Sequence, residues 1–291
     1  MISWPDSLIK DIARRRSVVY LGSGISRNSS NAKGESPKTW KLFLEFASAN
    51  GGFTKDEKDV IDTKIAKGDY LLACELIREL MGHDRYINLL KDEFQRKKYD
   101  HAPIHEAIQK LDSRLVVSAN FDQIYENYAK GITKGAVSVK NYNDSDLASC
   151  IRDSDDMILK IHGSIEQPNE MIFTQSEYAV ARNMYPAFYQ IFNALFVTRT
   201  FLFLGAGLND PDIRLLLENY SFQYRWSKKH FFVIPFDQLS EIERKIHSDV
   251  LNLDFLLYDP ANNHEELTDS LWDLVNKVDT YRNKLAGTQD W

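Results

Sequence analysis

Four short segments of the sequence combine residue types that bind or transform a ligand. Gly22-Ser23-Gly24-Ile25-Ser26-Arg27 sets two glycines where main-chain amides can approach a phosphate closely, with a cation at the end of the run. Ser118-Ala119-Asn120-Phe121-Asp122 holds an amide and a carboxylate two residues apart, both able to address sugar hydroxyls. His162-Gly163-Ser164 offers an imidazole, the side-chain type that exchanges protons near neutrality and serves as a general base. Gly205-Ala206-Gly207-Leu208-Asn209-Asp210-Pro211 is a second glycine turn running into a helix start. Each segment also has a plainer reading. The first is an ordinary turn, Asp122 and Asp210 are helix caps, and His162 is structural.

What these segments share is their position after apolar runs. The runs are residues 17–21, 115–118, 136–139, 157–161, 201–204, 231–234 and 255–258, mostly separated by helical patterns. Short apolar runs of this kind read as strands buried in a parallel sheet. Their alternation with helices predicts an α/β fold: a doubly wound, Rossmann-like, mainly parallel sheet, with ligands bound outside the carboxyl ends of the strands. A helix is expected over residues 5–15, with Leu8, Ile9 and Ile12 on one face, and a closing helix over about 265–284. Residues 37–111 interrupt the alternation with an almost continuous helical stretch. Trp40, Phe43, Leu44 and Ala47 keep helical spacing, and Thr54 with Glu57 forms a capping box. We read the chain, residues 1–291, as one domain in which 37–111 is an inserted helical module and a candidate lid.

Composition narrows the function classes. Of 291 residues, 43% are hydrophobic and 27% charged, which fits a globular protein and excludes disordered and fibrous classes. The 36 basic and 42 acidic side chains give a net charge of −6, against direct nucleic-acid or anionic-membrane binding. No apolar window is long enough to span a bilayer and the first residues lack the pattern of a secretion signal, so a cytoplasmic location is expected. Cys74 and Cys150 are the two cysteines, too far apart for a C-x-x-C zinc motif and too few for a disulfide framework.

The order of the four segments, each at a strand end, resembles the sirtuin family. In that family a Gly-Ala-Gly-Ile-Ser loop, a Gln-Asn-Ile-Asp turn, a His-Gly pair and a later glycine turn surround one NAD site. Their matches here are Gly22-Ser23-Gly24-Ile25-Ser26, Ala119-Asn120-Phe121-Asp122, His162-Gly163 and Gly205-Ala206-Gly207. The four-cysteine zinc module of protein-deacylating sirtuins has no counterpart, since residues 165–200 contain no cysteine, and the family's Gly-Ile-Pro-Asp-Phe-Arg segment is replaced by a polar stretch. The sequence is more similar to the divergent bacterial sirtuin-like branch associated with antiphage defence, whose members are NAD hydrolases.

That resemblance implies NAD as substrate, no zinc, and Asn120 and His162 as catalytic residues. It further implies NAD contacts from Asp122, from Gly22, Ser23, Gly24, Ile25, Ser26 and Arg27, and from Gly205, Gly207, Asn209 and Asp210. By the same resemblance the protein is expected to form a homo-oligomer and to pair with a HerA-type ring ATPase. The alternatives are an NAD-dependent protein deacylase and a non-catalytic nucleotide-sensing module.

Overall fold

The computed structural model describes residues 1–153, 155–208, 210–224 and 226–288. The chain opens with α1 (Asp6–Ala13), β1 (Ser17–Leu21) and the single turn α2 (Ser23–Ser26). Four helices follow: α3 (Trp40–Asn50), α4 (Lys55–Ala66), α5 (Tyr70–Met81) and α6 (His83–Lys91), the last continuing as a π-turn over Asp92–Arg96. Then come α7 (Pro103–Lys110), β2 (Leu115–Ser118), α8 (Ile124–Ile132), β3 (Ser138–Asn141), α9 (Leu147–Asp153) and β4 (Met157–Lys160). The remainder is α10 (Gln175–Met184), α11 (Pro186–Thr198), β5 (Thr200–Leu204), α12 (Pro211–Gln223), β6 (His230–Pro235), α13 (Glu241–Leu251), β7 (Leu253–Tyr258) and α14 (Ala261–Ala286).

The seven strands form one parallel sheet in the order β3-β4-β2-β1-β5-β6-β7. Successive residues of β1 face opposite sides: Val19 and Leu21 join α1, α7, α8 and α14 in one core, while Val18 and Tyr20 join α10, α11 and α12 in the other. Helices on both faces make this the doubly wound, Rossmann-like α/β architecture expected from the alternating runs. The strand order reverses at β1 and β5, which marks the crevice where such sheets bind ligands.

Local chemistry sets the element ends. Thr54 with Glu57, Thr174 with Glu177 and Ser240 with Glu243 form reciprocal capping boxes that start α4, α10 and α13. The first helix stops two residues earlier than expected, because Arg15 adopts a left-handed conformation (φ 53°). The third strand is shifted by two residues, to 138–141 instead of 136–139. It lies at the sheet edge, and pairing of Ser138 with Met157 outweighs the apolar run, whose Val137 is buried just before the strand. In α14 the backbone of Asn262, Asn263 and His264 is left-handed, so the regular helix begins after them, close to the expected 265.

The helical stretch between β1 and β2 divides between two places. Helices α3 to α6 enclose a third core of Phe43, Leu44, Ile61, Ile77, Tyr86 and Leu90, which packs on Phe121 and Phe173 at the carboxyl end of the sheet. Helix α7 packs against α14 on a sheet face, as a crossover helix would. Among the described residues no helix is long and apolar enough to cross a membrane.

Candidate active site

The two glycine turns meet at the point where the strand order reverses. The Gly22 amide donates to the Leu204 carbonyl at 2.9 Å, and the Gly24 amide donates to the Gly205 carbonyl at 2.9 Å. A Cβ on Gly22 would stand 2.4 Å from the Gly205 oxygen, and one on Gly205 would stand 2.5 Å from the Ile25 nitrogen. Gly205 also has a φ of 59°. Backbone against backbone leaves no room for side chains here, so these glycines are required by the interlock of the turns whatever the ligand.

Asn120, at the end of β2, ties the neighbouring turn to this pair. Its Nδ2 donates to the Gly22 carbonyl at 3.1 Å and to Ser26 Oγ at 2.9 Å. Both amide hydrogens are thereby engaged, and among the described residues Oδ1 accepts from no protein donor. Asp122 is buried; its Oδ1 accepts from the Ile124 amide, the first of α8, at 3.1 Å, while the N-cap position belongs to Gln123, so the carboxylate holds the turn into the helix without being its cap. The Asp122 carbonyl accepts from Lys160 Nζ at 2.7 Å. Lys160 is fully buried at the end of β4 and pairs with Glu126 of α8. Burial pushes the Glu126 carboxyl above the ordinary glutamate range, with the Lys160 ammonium opposing the shift.

His162 follows β4 in a turn that only glycine permits at the next position. Gly163 has a φ of 78°, and a Cβ there would lie 2.7 Å from the Glu170 oxygen. This close approach lets the Ile172 amide donate to the His162 carbonyl at 3.0 Å. The imidazole is buried, with Nε2 3.2 Å from the Tyr178 hydroxyl and 3.5 Å from Asp210 Oδ2. Asp210 also caps α12 through the Ile213 amide at 3.2 Å, so one carboxylate both starts a helix and faces the histidine.

These groups surround a cleft of about 240 Å³, just below the roughly 300–1,000 Å³ of pockets that enclose drug-sized ligands. Of the residues singled out from sequence, Gly22, Ser23, Ser26, Asn120, Asp122, His162, Gly207 and Asp210 line it. Four others do not. Gly24 and Gly205 are spent on the contact between turns, Ile25 is buried in the core, and Arg27 is exposed with its guanidinium 3.5 Å from the Pro37 carbonyl. Asn209 lies outside the described residues.

The structure adds side chains that sequence reasoning passed over. Lys38, from the loop before α3, and Trp40, Lys41, Tyr70 and Phe94 of the inserted helices form one wall, and Tyr178 flanks the imidazole. Trp40 donates its indole N–H to Cys74 Sγ at 3.2 Å and packs its ring 5.6 Å from that of Tyr70 and 5.5 Å from that of Phe173. Only the helical spacing of Trp40 was visible in sequence. For Tyr178 the available signal was the Thr174-Glu177 capping box, which puts this tyrosine in the first turn of α10.

An aromatic wall, main-chain amides, an uncommitted amide oxygen and a buried imidazole suit a ligand with planar bases, a phosphate bridge and sugar hydroxyls. Comparison with known proteins agrees in kind. Residues 114–255 match the family model of a SIR2-like domain, a span that includes Asn120, Asp122, His162 and the second glycine turn but neither the first turn nor the inserted helices. The chain is 22% identical over 293 residues to a Bacillus cereus protein named NAD(+) hydrolase ThsA, covering 96% of this chain and 58% of that protein. It is 22% identical to an Acinetobacter baumannii protein of the same name, over 79% of this chain and 44% of that one. A Bacillus subtilis protein named Defense-associated sirtuin 2 is 23% identical over 69% of this chain and 19% of its own length. The chain thus spans from about a fifth to just over half the length of these relatives.

Proposed function

We propose that the chain cleaves NAD to nicotinamide and ADP-ribose, and that it serves bacterial antiphage defence by depleting NAD. The observation that carries this reading is the convergence of Asn120 and His162 on one cleft at the carboxyl ends of β2 and β4, beside the interlocked glycine turns. The names borne by the relatives support it.

In this reaction the bond between nicotinamide and the ribose C1′ breaks through an oxocarbenium-like transition state, and C1′ bonds to a water oxygen. Nicotinamide departs neutral, so the site needs no strong acid, and the two carboxylates that line the cleft have other tasks, Asp122 accepting from the Ile124 amide and Asp210 facing His162. With Nδ2 committed to the turn, Asn120 acts through Oδ1, holding a ribose hydroxyl or the attacking water in line. His162 takes the water's proton and passes it to solvent, oriented by Tyr178 and Asp210. With the Gly22, Gly24 and Ile25 amides committed within and between the turns, the Ser23 amide addresses the pyrophosphate.

Incubating the protein with NAD and resolving the products by chromatography, with and without an acylated peptide, tests the reading. Nicotinamide release that does not depend on peptide is expected. Peptide-dependent release would point to a deacylase, and NAD binding without release to a sensing module. Trp40→Ala should raise KM for NAD about tenfold, the scale of one lost base-stacking contact, and leave kcat within about threefold. An unchanged KM in a folded variant would remove Trp40 from the ligand wall. As part of the same proposal, the hydrolase works as a homo-oligomer paired with a HerA-type ring ATPase; the mass of the protein alone and with that partner checks both.

A further inference from the structure

Besides walling the cleft, the inserted helices grip the helix that carries the histidine's partner. Tyr178 meets His162 from the first turn of α10, and α10 begins at a carboxylate with three donors around it. Glu177 Oε2 accepts from the Phe173 and Thr174 amides, each at 2.8 Å, and its Oε1 accepts from Arg78 Nη1 at 2.6 Å. Arg78 comes from α5, 99 positions away in the chain.

A second grip lies one turn away on α5. Glu75 Oε2 accepts from the Ser176 amide at 2.8 Å, and its Oε1 accepts from the Ser176 hydroxyl at 2.9 Å. Residues three apart on a helix share a face, so α5 presents Glu75 and Arg78 to α10 as one anion and one cation. Two carboxylates thus converge on the start of α10, where unpaired N–H groups favour negative charge. They would repel each other without a cation between them. Arg78 fills that place, with Nη2 3.6 Å from Glu75, and among the described residues every ion pair of Glu75 and Glu177 is made with Arg78. Burial opposes the charge on Glu75, yet the two bonds from Ser176 and the nearby Arg78 hold its carboxyl below the ordinary glutamate range.

The other side of α10 faces the sheet, where Tyr178 and Ala181 join the second core. The helix is therefore fixed between that core and α5. The Tyr178 hydroxyl stands 3.2 Å from His162 Nε2, at the long end of the hydrogen-bond range, so a shift of a few tenths of an ångström at the start of α10 would break the contact. The remaining polar neighbour of Nε2 is Asp210, at 3.5 Å from the opposite side of the sheet's crevice.

We propose that Arg78, with Glu75 beside it, is a positioning residue for the cleavage reaction: by fastening the start of α10 it keeps the Tyr178 hydroxyl on His162 Nε2. This role rests on the assignment of His162 as the group that takes the water's proton.

The test measures kcat and KM for NAD, with melting temperatures, on the full chain. Arg78→Gln should lower kcat about tenfold, a part of the roughly 10²–10⁴-fold that a positioned proton acceptor contributes. KM should stay within about threefold, because the capping box holds Phe173 and Thr174 without help from α5. Tyr178→Phe should lower kcat to a similar extent. The double variant separates positioning from mere stability: added to Tyr178→Phe, Arg78→Gln should leave kcat within about twofold while still lowering the melting temperature. Glu75→Gln should give the same pattern in weaker form, and it replaces Arg78→Gln should that variant not fold. Glu79→Gln, which removes a carboxylate 3.7 Å from Arg78 that is bound to α5 alone, should leave kcat unchanged. An Arg78 effect on kcat that persists undiminished in Tyr178→Phe, or a lower melting temperature with kcat intact, would overturn this role and leave the cleavage reading in place. A parent protein that releases no nicotinamide would overturn the cleavage reading, and this role with it.

Discussion

Asn120→Ala is expected to lower nicotinamide release by about a hundredfold or more, since the acceptor that aligns the reacting groups is lost. The variant should remain folded but less stable by about 1–3 kcal/mol, because its two hydrogen bonds to Gly22 and Ser26 contribute roughly 0.5–1.5 kcal/mol each. Sequence alone casts this residue as a ligand contact; the structure makes it a strut between two turns as well. Ser26→Ala separates the two roles. It removes one acceptor of Nδ2 and leaves Oδ1 in place, so it should share part of the stability loss and keep most of the activity. Steady-state rates and denaturant melts on both variants check this. A folded Asn120→Ala variant with full activity would end the catalytic assignment.

Lys160→Met should be the most destabilising of the changes considered. It leaves Glu126 buried without its cation and the Asp122 carbonyl without its donor, and breaking such a pair from one side costs about 3–5 kcal/mol. At about 2–4 °C per kcal/mol for a large domain, the melting temperature should fall by roughly 10 °C. The deficit has a definite pH sign. Burial already raises the Glu126 carboxyl above its unfolded value, and loss of Lys160 raises it further. Between the unfolded value of about 4.3 and the raised folded value the folded state binds the extra proton, so the variant loses stability as pH rises through that window. The gap from the parent should therefore be widest near neutrality and narrow toward pH 4 to 5. Adding Glu126→Leu to Lys160→Met should recover most of the loss, since a packed apolar pair replaces a buried ionic one at little cost. A gap that widens as pH falls would show that Glu126 is not the uncompensated group.

Much of the sheet is legible because parallel strands covered on both faces read as unbroken apolar runs, and β1, β2 and β5 begin and end within a residue of their runs. Strand β3 escapes this rule, since an edge strand is half exposed and polar residues serve there. The site is legible wherever one strand end supplies a complete chemical group, as with Asn120, Asp122 and His162. It is not legible where a wall arises from packing between distant elements. Trp40 and Tyr70 reach the cleft because the inserted helices bury their own core against Phe121 and Phe173, a relation that no local spacing encodes. The glycine turns are a mixed case. Their composition flagged the right places, yet Gly24 and Gly205 serve the joint between turns, and a motif reading cannot separate a glycine that admits a ligand from one that admits another backbone.

That joint also governs when the cleft can exist during synthesis. Gly22 and Gly205 lie 183 positions apart, and their contact depends on β5 docking beside β1. Contacts of such long sequence separation form late, and chains fold progressively as they emerge. A nascent chain that has released the first turn, the inserted helices, Asn120 and even His162 still lacks the far lip of the cleft until β5 and the turn after it leave the ribosome. The groups that line the cleft are thus made early and assembled late, and under the proposed function an unfinished chain cleaves no NAD until more than two thirds of the sequence has been translated.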